Sequence, residues 1–242
     1  MSDGIGIASA ALAGMMGAVA AIWASDLLPR LSAGGAARLE EAPCPLHLFG
    51  PQWRWLHGAS LALSAGFGAY LWGRYGASGR GLLLAGLYGF LLLITLIDIK
   101  YRLVLNVLTY PAIGLTLAVQ VLLLHVAMRA ALVGAGLAFS IFFLTALIRP
   151  GDLGGGDVKL AALIGLWHGF PGVLWALLLG VGIGGAATAW ITLAKRRAES
   201  AQGGHAQAER VQHERVHVPY APFLCLGALA AFLYNPIPHL LP

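Results

Sequence analysis

The chain has 242 residues, of which 59% are hydrophobic and 10% are charged, and its formal net charge is +5. Soluble globular domains carry about 25% charged residues, so this composition excludes a single water-soluble domain. It indicates an all-α fold, a polytopic bundle of transmembrane helices. In such a protein a positive net charge reflects basic cytoplasmic loops, and we expect no nucleic-acid partner.

Apolar runs recur along the whole chain. One crossing of a bilayer needs about 17–25 apolar residues in a helix, the structure that satisfies its own backbone hydrogen bonds in lipid. We predict eight such segments, of which the sixth is short and begins at a glycine-rich turn: residues 4–24, 55–73, 81–98, 105–126, 130–148, 157–170, 172–194 and 220–238. Cytoplasmic loops are predicted at residues 25–53 and, as a flexible polar stretch, at residues 195–218.

The basic residues orient these segments. Cytoplasmic loops of membrane proteins are enriched in Lys and Arg. With both termini outside, only three of the 15 Lys and Arg residues lie on the outer side: Arg74, Arg80 and Arg129. The others fall in four inner segments, residues 25–54, 98–105, 149–159 and 195–219. This asymmetry predicts the orientation and supports the count of eight.

Three acidic residues lie at or beside the ends of apolar helices: Asp98, Asp152 and Asp157. An acid near the hydrocarbon costs free energy, by about 2.5 kcal/mol or more at the bilayer centre, and commonly has a function. The other acids fall in or beside predicted loops: Asp3, Asp26, Glu40, Glu41, Glu199, Glu209 and Glu214. Lys100 and Arg102 follow Asp98 closely, so an interfacial ion pair with one of these bases is the alternative to a catalytic role for Asp98.

Asp157 follows three glycines, residues 154–156, and opens an apolar helix. Glycine permits backbone conformations that other residues avoid, so this turn can bring a carboxylate close to another helix. A plain N-cap is the alternative reading of Asp157, because carboxylates are favoured at helix N-termini. Capping and catalysis are compatible, and both stay open here.

Asp98 and Asp157 lie on the same predicted side of the membrane, although the span assignment did not use them. Two carboxyl groups in a partly dehydrated site cannot readily both ionise, and they titrate as a unit. One then serves as a base that activates water, and the other as an acid that polarises the scissile carbonyl group. This pair predicts amide hydrolysis with no metal or other cofactor.

Other chemistries fit the sequence less well. A transporter or channel could use the same two acids to bind a cation or relay protons, but it would favour acids near mid-membrane and repeated halves. Hydroxyl groups in apolar helices usually bond the preceding turn, which is the expected role of Ser60, Ser64 and Ser140. We favour a solvated loop position for Asp152 over a contact with a basic substrate.

Three segments resemble the type IV prepilin peptidases, the bacterial GxGD-type intramembrane aspartic proteases. They cover roughly residues 85–230 and are the run from Asp98 through Asn106 and Thr109 to Pro111, the run from Gly154 to Asp157 with Lys159 and Leu160, and the closing run from Pro219 to Phe223. A presenilin-type protease is less similar, because Ile97 precedes the first aspartate and the closing segment is Pro-Phe.

The resemblance implies an endopeptidase of the bacterial inner membrane, in contact with the lipid bilayer, that removes the leader peptide from type IV prepilins or type II secretion pseudopilins at the cytoplasmic face. Asp98 and Asp157 match the catalytic positions. Residues that would shape the site are Gly154, Gly156, Lys159, Asn106, Pro222 and Phe223. Residues 81–238 would form the peptidase-like membrane domain, and residues 1–80 the N-terminal spans.

Larger members of this family also methylate the new N-terminus with S-adenosylmethionine, and they carry a long first cytoplasmic loop with paired CxxC motifs. Here the loop at residues 25–53 is short and contains a single cysteine, Cys44. The sequence therefore predicts the peptidase residues without supporting a methyltransferase.

Overall fold

The computed structural model describes residues 2–31, 51–121, 128–148, 153–201 and 220–234. All regular structure in these ranges is helical, which confirms the predicted all-α class. The helices in the described ranges are α1 (Ser2–Leu31), α2 (Pro51–Tyr75), α3 (Gly79–Tyr101), α4 (Asn106–Val119), α5 (Met128–Ile148), α6 (Gly155–Ala201) and α7 (Ala221–Tyr234).

Four helices in the described ranges are long and apolar enough to cross a membrane: Gly6–Pro29 in α1, Gly81–Tyr101 in α3, Met128–Ile148 in α5 and Gly155–Ala194 in α6. Helices α4 and α7 have 14 residues each, fewer than a full crossing needs. The structure therefore supports an α-helical membrane protein, whereas the count of eight crossings remains a prediction.

Helix α6 is interrupted near its middle. Gly169 has φ 61° and ψ 177°, and Phe170 has φ −91° and ψ 135°, so neither residue is helical. A positive φ is strained for residues with a side chain, which explains glycine at position 169. The interruption falls where the sixth predicted segment ends and the seventh begins.

Two predicted loops begin later than expected. Helix α1 continues through Leu31, and α6 continues through Ala201, so residues 25–31 and 195–201 are helical rather than loop. Lys, Arg, Ala and Glu dominate residues 195–201, and these residue types favour helix even outside lipid. The remainder of the second loop, residues 202–218, lies outside the described ranges.

The chain divides into two compact units, Met1–Val107 and Leu108–Pro242. In the first unit, α1 and α2 approach closely through small residues. A Cβ atom added at Gly14 would meet the carbonyl oxygen of Ser64, and one added at Gly68 would meet the carbonyl oxygen of Ala10. Small residues allow such backbone contact in lipid, where apolar burial does not drive helix association. The boundary predicted near residue 80, between the N-terminal spans and the peptidase-like domain, stays a prediction.

The serines of α2 behave in two ways. Ser60 donates to the carbonyl oxygen of Leu56 at 2.8 Å, as predicted for a hydroxyl group in an apolar helix. Ser64 instead shares a hydrogen bond of 3.0 Å with the Tyr88 hydroxyl group of α3. The Tyr88 ring stacks on Phe67 with centroids 4.4 Å apart, which brings the hydroxyl group to Ser64.

In the second unit, glycines again mark the helix contacts. A Cβ atom added at Gly134 of α5 would lie 2.5 Å from the carbonyl oxygen of Gly165 in α6. A Cβ atom added at Gly227 of α7 would lie 2.5 Å from the carbonyl oxygen of Ala176 in the second half of α6. The first half of α6 is therefore packed against α5. Helix α7 contacts α6 on both sides of the interruption, since His168 Nε2 also lies 3.1 Å from the Ala228 carbonyl oxygen.

Candidate active site

The Asp157 carboxyl group is held by the start of its own helix. Because α6 begins at Gly155, Asp157 is the third helical residue and not the N-cap that the sequence suggested. Its Oδ2 accepts a hydrogen bond of 3.2 Å from the Gly154 amide, and its own amide donates to the Gly154 carbonyl oxygen at 3.0 Å. This is the reciprocal bond that an acidic third residue makes in a capping box.

The other oxygen of the same carboxyl group is different. Asp157 Oδ1 is buried and has no hydrogen-bond partner within the described part of the chain. Buried polar atoms are nearly always hydrogen-bonded, so one that is not bonded at a helix end invites a functional explanation. The carboxyl group thus has one oxygen that is hydrogen-bonded and one whose hydrogen-bonding capacity is unused within the described part of the chain.

The glycine run before Asp157 does not adopt the backbone angles that favour glycine. Among the described residues, positive φ occurs at Gly76, Gly169 and Arg102, and not in the run before Asp157. A Cβ atom at Gly154 would lie 3.4 Å from Asp157 Oδ2, whereas one at Gly155 would meet nothing within 4 Å. A Cβ atom is therefore tolerated at both positions, and the absence of positive φ corrects the expectation of a special backbone conformation.

Lys159 contacts the helix that follows the first aspartate in the chain. Its Nζ lies 4.9 Å from the centroid of the Tyr110 ring in α4, a cation–π contact. The contact joins the N-terminal parts of α4 and α6. This contact is more specific than the interfacial position that lysines commonly take in membrane proteins.

Asp98 lies in the last turn of α3, and its residue is buried with 5% of its surface exposed. Its carbonyl oxygen accepts a hydrogen bond of 2.8 Å from the Arg102 amide. Arg102 ends the helix in a left-handed conformation, φ 50° and ψ 45°, which closes the cap. Asp98 belongs to the first compact unit and Asp157 to the second, so their pairing remains a prediction.

The ion pair suggested for Asp98 and Lys100 gives way to another pair. Lys100 Nζ lies 2.5 Å from Asp26 Oδ1 of α1 and donates to Ser25 Oγ at 2.9 Å. Residues two apart on a helix point to nearly opposite sides, so Lys100 is directed away from the side of α3 that carries Asp98. Asp26, assigned to a loop from the sequence, is a helical residue with a defined partner.

That partner could have been found from the sequence. Asp26 and Lys100 each follow a predicted span, and both spans end on the same side of the membrane. The same reasoning predicts that Asp98 and Asp157 lie on one side. Opposite charges at neighbouring helix ends are expected to pair when both are near lipid.

The remaining predicted site residues have defined positions. Asn106 is the first residue of α4 and is exposed. Pro222 is buried in the first turn of α7, and a Cβ atom at Gly184 would lie 3.1 Å from Phe223 Cβ. The closing Pro-Phe segment therefore packs on the second half of α6, and its part in a catalytic site remains a prediction.

Asp152 and Cys44 lie outside the described residues. Within the described ranges, no three His, Cys, Asp or Glu side chains form a group that could hold a metal ion.

Comparisons with known proteins identify the central helices. Residues 85–189 match the type IV leader peptidase family, and this stretch contains both Asp98 and Asp157. The prepilin leader peptidase/N-methyltransferase of Pseudomonas aeruginosa is 30% identical over 181 residues, which make up 73% of this chain and 56% of that protein. The chain thus spans little more than half of the length of this relative. No solved structure matches the chain. Over residues 85–189, the chain is therefore similar to the type IV leader peptidase family.

Proposed function

We propose that this protein is a membrane aspartic endopeptidase that removes the leader peptide from type IV prepilins or type II secretion pseudopilins. Asp98 and Asp157 are its catalytic pair. The observation that carries the proposal is the Asp157 carboxyl group, in which Oδ2 caps α6 while Oδ1 is buried without a partner in the described structure. The family match over residues 85–189 supports the same assignment.

The position of Asp98 supports its role as the second acid. It lies in the last turn of α3, just before the non-helical residues 103–105, and only 5% of its surface is exposed. A carboxylate charge is unfavourable at a position that is this buried. Sharing one proton with a second acid lowers that cost. Lys100 is occupied by Asp26, so an ion pair with that base does not account for Asp98.

The proposed mechanism needs one proton on the pair. The ionised carboxylate removes a proton from a water as that water attacks the scissile carbonyl carbon. The protonated acid donates a hydrogen bond to the carbonyl oxygen and stabilises the charge that develops there. Proton transfer to the leaving nitrogen then completes cleavage without a covalent enzyme intermediate.

The surrounding residues have supporting parts in this proposal. Gly154 holds Asp157 Oδ2 with its amide. Gly156 directly precedes Asp157 in the first turn of α6. Lys159 on Tyr110 fixes the start of α6 against the start of α4, and Asn106 begins the latter helix. Phe223 packs against the second half of α6, and Pro222 is buried beside it in the chain.

A transporter that uses the same acids is less well supported. Acids that carry ions or protons across a membrane favour positions near the bilayer midplane. Asp98 and Asp157 instead lie in the last turn of α3 and the first turn of α6. Acids at helix ends favour chemistry at a membrane surface, where a leader peptide can enter from water.

We also propose eight crossings with the active site at the cytoplasmic face of the bacterial inner membrane. An unbroken helix over Gly155–Ala194 would be about 60 Å long, twice the thickness of the hydrocarbon core. The interruption at Gly169 and Phe170 divides it into two segments that can cross in opposite directions. The basic residues then lie mainly on the cytoplasmic side.

The test is co-expression with a candidate prepilin, followed by mass spectrometry of the pilin N-terminus. We expect loss of the leader with the wild-type protein, and we expect no methyl group on the new N-terminus. Asp98→Asn and Asp157→Asn should each reduce cleavage by about 10²–10⁴-fold, the usual contribution of a general acid or base. Full cleavage by either variant, at equal abundance in the membrane, would contradict the assignment.

A further inference from the structure

A buried lysine side chain lies one half-turn from Asp98. Lys100 is in the last turn of α3, and only 1% of its side-chain surface is exposed. Its Nζ lies 2.5 Å from Asp26 Oδ1 and 2.9 Å from Ser25 Oγ, both in α1. A buried ammonium group is strongly unfavourable unless it is paired and hydrogen-bonded, so these contacts hold α3 to α1.

The α1 side of this pair is itself well anchored. Ser25 is fully buried, and its Oγ donates to the Ile22 carbonyl oxygen at 2.7 Å while it accepts from Lys100. Beside the pair, residues of three helices form one hydrophobic cluster: Ala21 and Ile22 of α1, Leu56 of α2 and Leu96 of α3. The ion pair and this hydrophobic cluster together hold the last turn of α3 against α1.

We propose that Asp26 and Lys100 are positioning residues that hold the last turn of α3 in the orientation in which Asp98 acts. This inference rests on the proposed function. Asp98 and Lys100 point to nearly opposite sides of the same turn, so rotation or displacement at Lys100 is transmitted directly to Asp98. Asp26 comes from α1, outside the stretch of residues 85–189 that matches the peptidase family. In this proposal α1 therefore contributes a positioning residue to the peptidase site.

A serine beside a lysine is also the arrangement of a nucleophile and its base. Two contacts argue against that role for Ser25. Lys100 is engaged by Asp26, and the Ser25 hydroxyl group is fully buried and donates to a backbone carbonyl oxygen. Ser25→Ala should therefore cost less activity than Asp26→Asn. A loss with Ser25→Ala as complete as with Asp98→Asn would overturn the positioning role.

The test measures kcat and KM for prepilin cleavage by the full-length protein in lipid vesicles, normalised to folded protein. Asp26→Asn and Lys100→Met should each lower kcat by about ten- to a hundredfold, because small displacements of a catalytic group cost activity on this scale. KM should stay within about twofold of wild type, since neither residue contacts the substrate in this proposal. Lys100→Arg, which keeps the pair, should retain most of kcat.

The double variant Asp26→Asn with Lys100→Met separates positioning from stability. It leaves no unpaired buried charge, so the fold should recover much of the stability lost in the single variants. The positioning role predicts that kcat nevertheless stays low and that the two effects are not additive. A merely structural ion pair predicts recovery of wild-type kcat. Arg54→Gln, at an exposed cation of α2 on the same predicted side, is the matched control and should keep wild-type kcat.

Failure of this inference differs from failure of the proposed function. Cleavage by the wild type but not by Asp98→Asn, together with unchanged kcat in Asp26→Asn and Lys100→Met, would overturn the positioning role alone. Wild-type kcat in the neutral double variant would overturn it as well. A wild-type protein that does not cleave any prepilin would overturn the proposed function itself.

Discussion

The carboxyl group of Asp157 has two separate tasks at the residue scale. Oδ2 accepts from the Gly154 amide and closes the start of α6, while Oδ1 is buried and has no described partner. An asparagine at this position can keep the first bond through its amide oxygen, but it cannot exchange a proton as an acid or base. The structural and the catalytic contributions of Asp157 can therefore be separated by substitution.

Asp157→Asn should lower the free energy of unfolding by less than about 1 kcal/mol, mostly through the lost charge at the helix N-terminus. Asp157→Ala should lower it by about 0.5–2 kcal/mol, because the capping bond is lost as well. Both should abolish cleavage. Thermal unfolding in detergent micelles, with cleavage measured on the same samples, checks this order. Equal stability of the two variants would contradict the capping role.

The local sequence found the two acids but not their exact settings. The motif at residues 154–157 identified Asp157, yet three glycines allow a helix to begin at any of them, so its start at Gly155 was not predictable. An ion pair of Asp98 with Lys100 or Arg102 is the alternative that the sequence leaves open, whereas Lys100 pairs with Asp26, 74 positions away. Proximity along a helix is a poor guide for residues two apart, because they point to opposite sides.

At the scale of the helices, backbone contact at glycines determines which elements can pack. Gly134 and Gly165 bring α5 and α6 so close that neither backbone has room for a Cβ atom. On the same helix as Gly134, a Cβ atom at Gly136 would meet nothing within 4 Å. Gly134 and Gly136 thus lie in similar sequence surroundings but differ in packing.

Gly134→Ala should lower the free energy of unfolding by roughly 1–3 kcal/mol, because the backbone of α6 must move to admit the methyl group. Gly136→Ala should leave it unchanged or raise it by up to about 1 kcal/mol, since alanine is the better helix former. Thermal unfolding of both variants in detergent measures the difference. A similar loss at both positions would mean that general helix propensity, and not the contact of α5 with α6, governs the result.

The contact of Lys159 with Tyr110 is the second element-scale feature, because it joins the starts of α4 and α6. A double-mutant cycle with Lys159→Met and Tyr110→Leu should give a coupling free energy of about 0.5–1 kcal/mol, as expected at a partly exposed site. Tyr110→Phe keeps the aromatic ring and should therefore retain most of the coupling with Lys159. A coupling free energy of zero would contradict a stabilising contact between Lys159 and Tyr110.

The order of the helices was predictable from sequence to a large extent. Each predicted apolar segment overlaps a helix or one half of α6, because long apolar runs have no other stable structure in lipid. The break at Gly169 and Phe170 also agrees with a predicted boundary. The pairing of α5 with α6 and of α6 with α7 was not predictable, since it depends on single glycines whose role appears only when backbones meet.

At the scale of the whole molecule, the number of crossings follows from the interruption of α6. If its two halves cross separately, Phe170 lies at the outer face; if α6 crosses once, Phe170 lies in lipid. The loop between α2 and α3 provides an outer reference position, at the exposed Ala77. Arg197, exposed near the end of α6, provides a cytoplasmic one.

Single cysteines should report this topology after Cys44 and Cys225 are replaced by alanine. In intact cells a membrane-impermeant maleimide should label Ala77→Cys and Phe170→Cys, whereas Arg197→Cys should react only after lysis. Labelling is read as a mass shift on a gel. Protection of Phe170→Cys beside normal labelling of Ala77→Cys would reduce the count of crossings below eight.

The most direct measurement of the central proposal uses purified protein in lipid vesicles with a prepilin, and mass spectrometry of the released leader. The account predicts that the wild type cleaves at the boundary between the leader and the hydrophobic helix. It also predicts that Asp98→Asn and Asp157→Asn, folded and equally abundant, do not cleave. Leader release at the wild-type rate by either variant would contradict the aspartate pair.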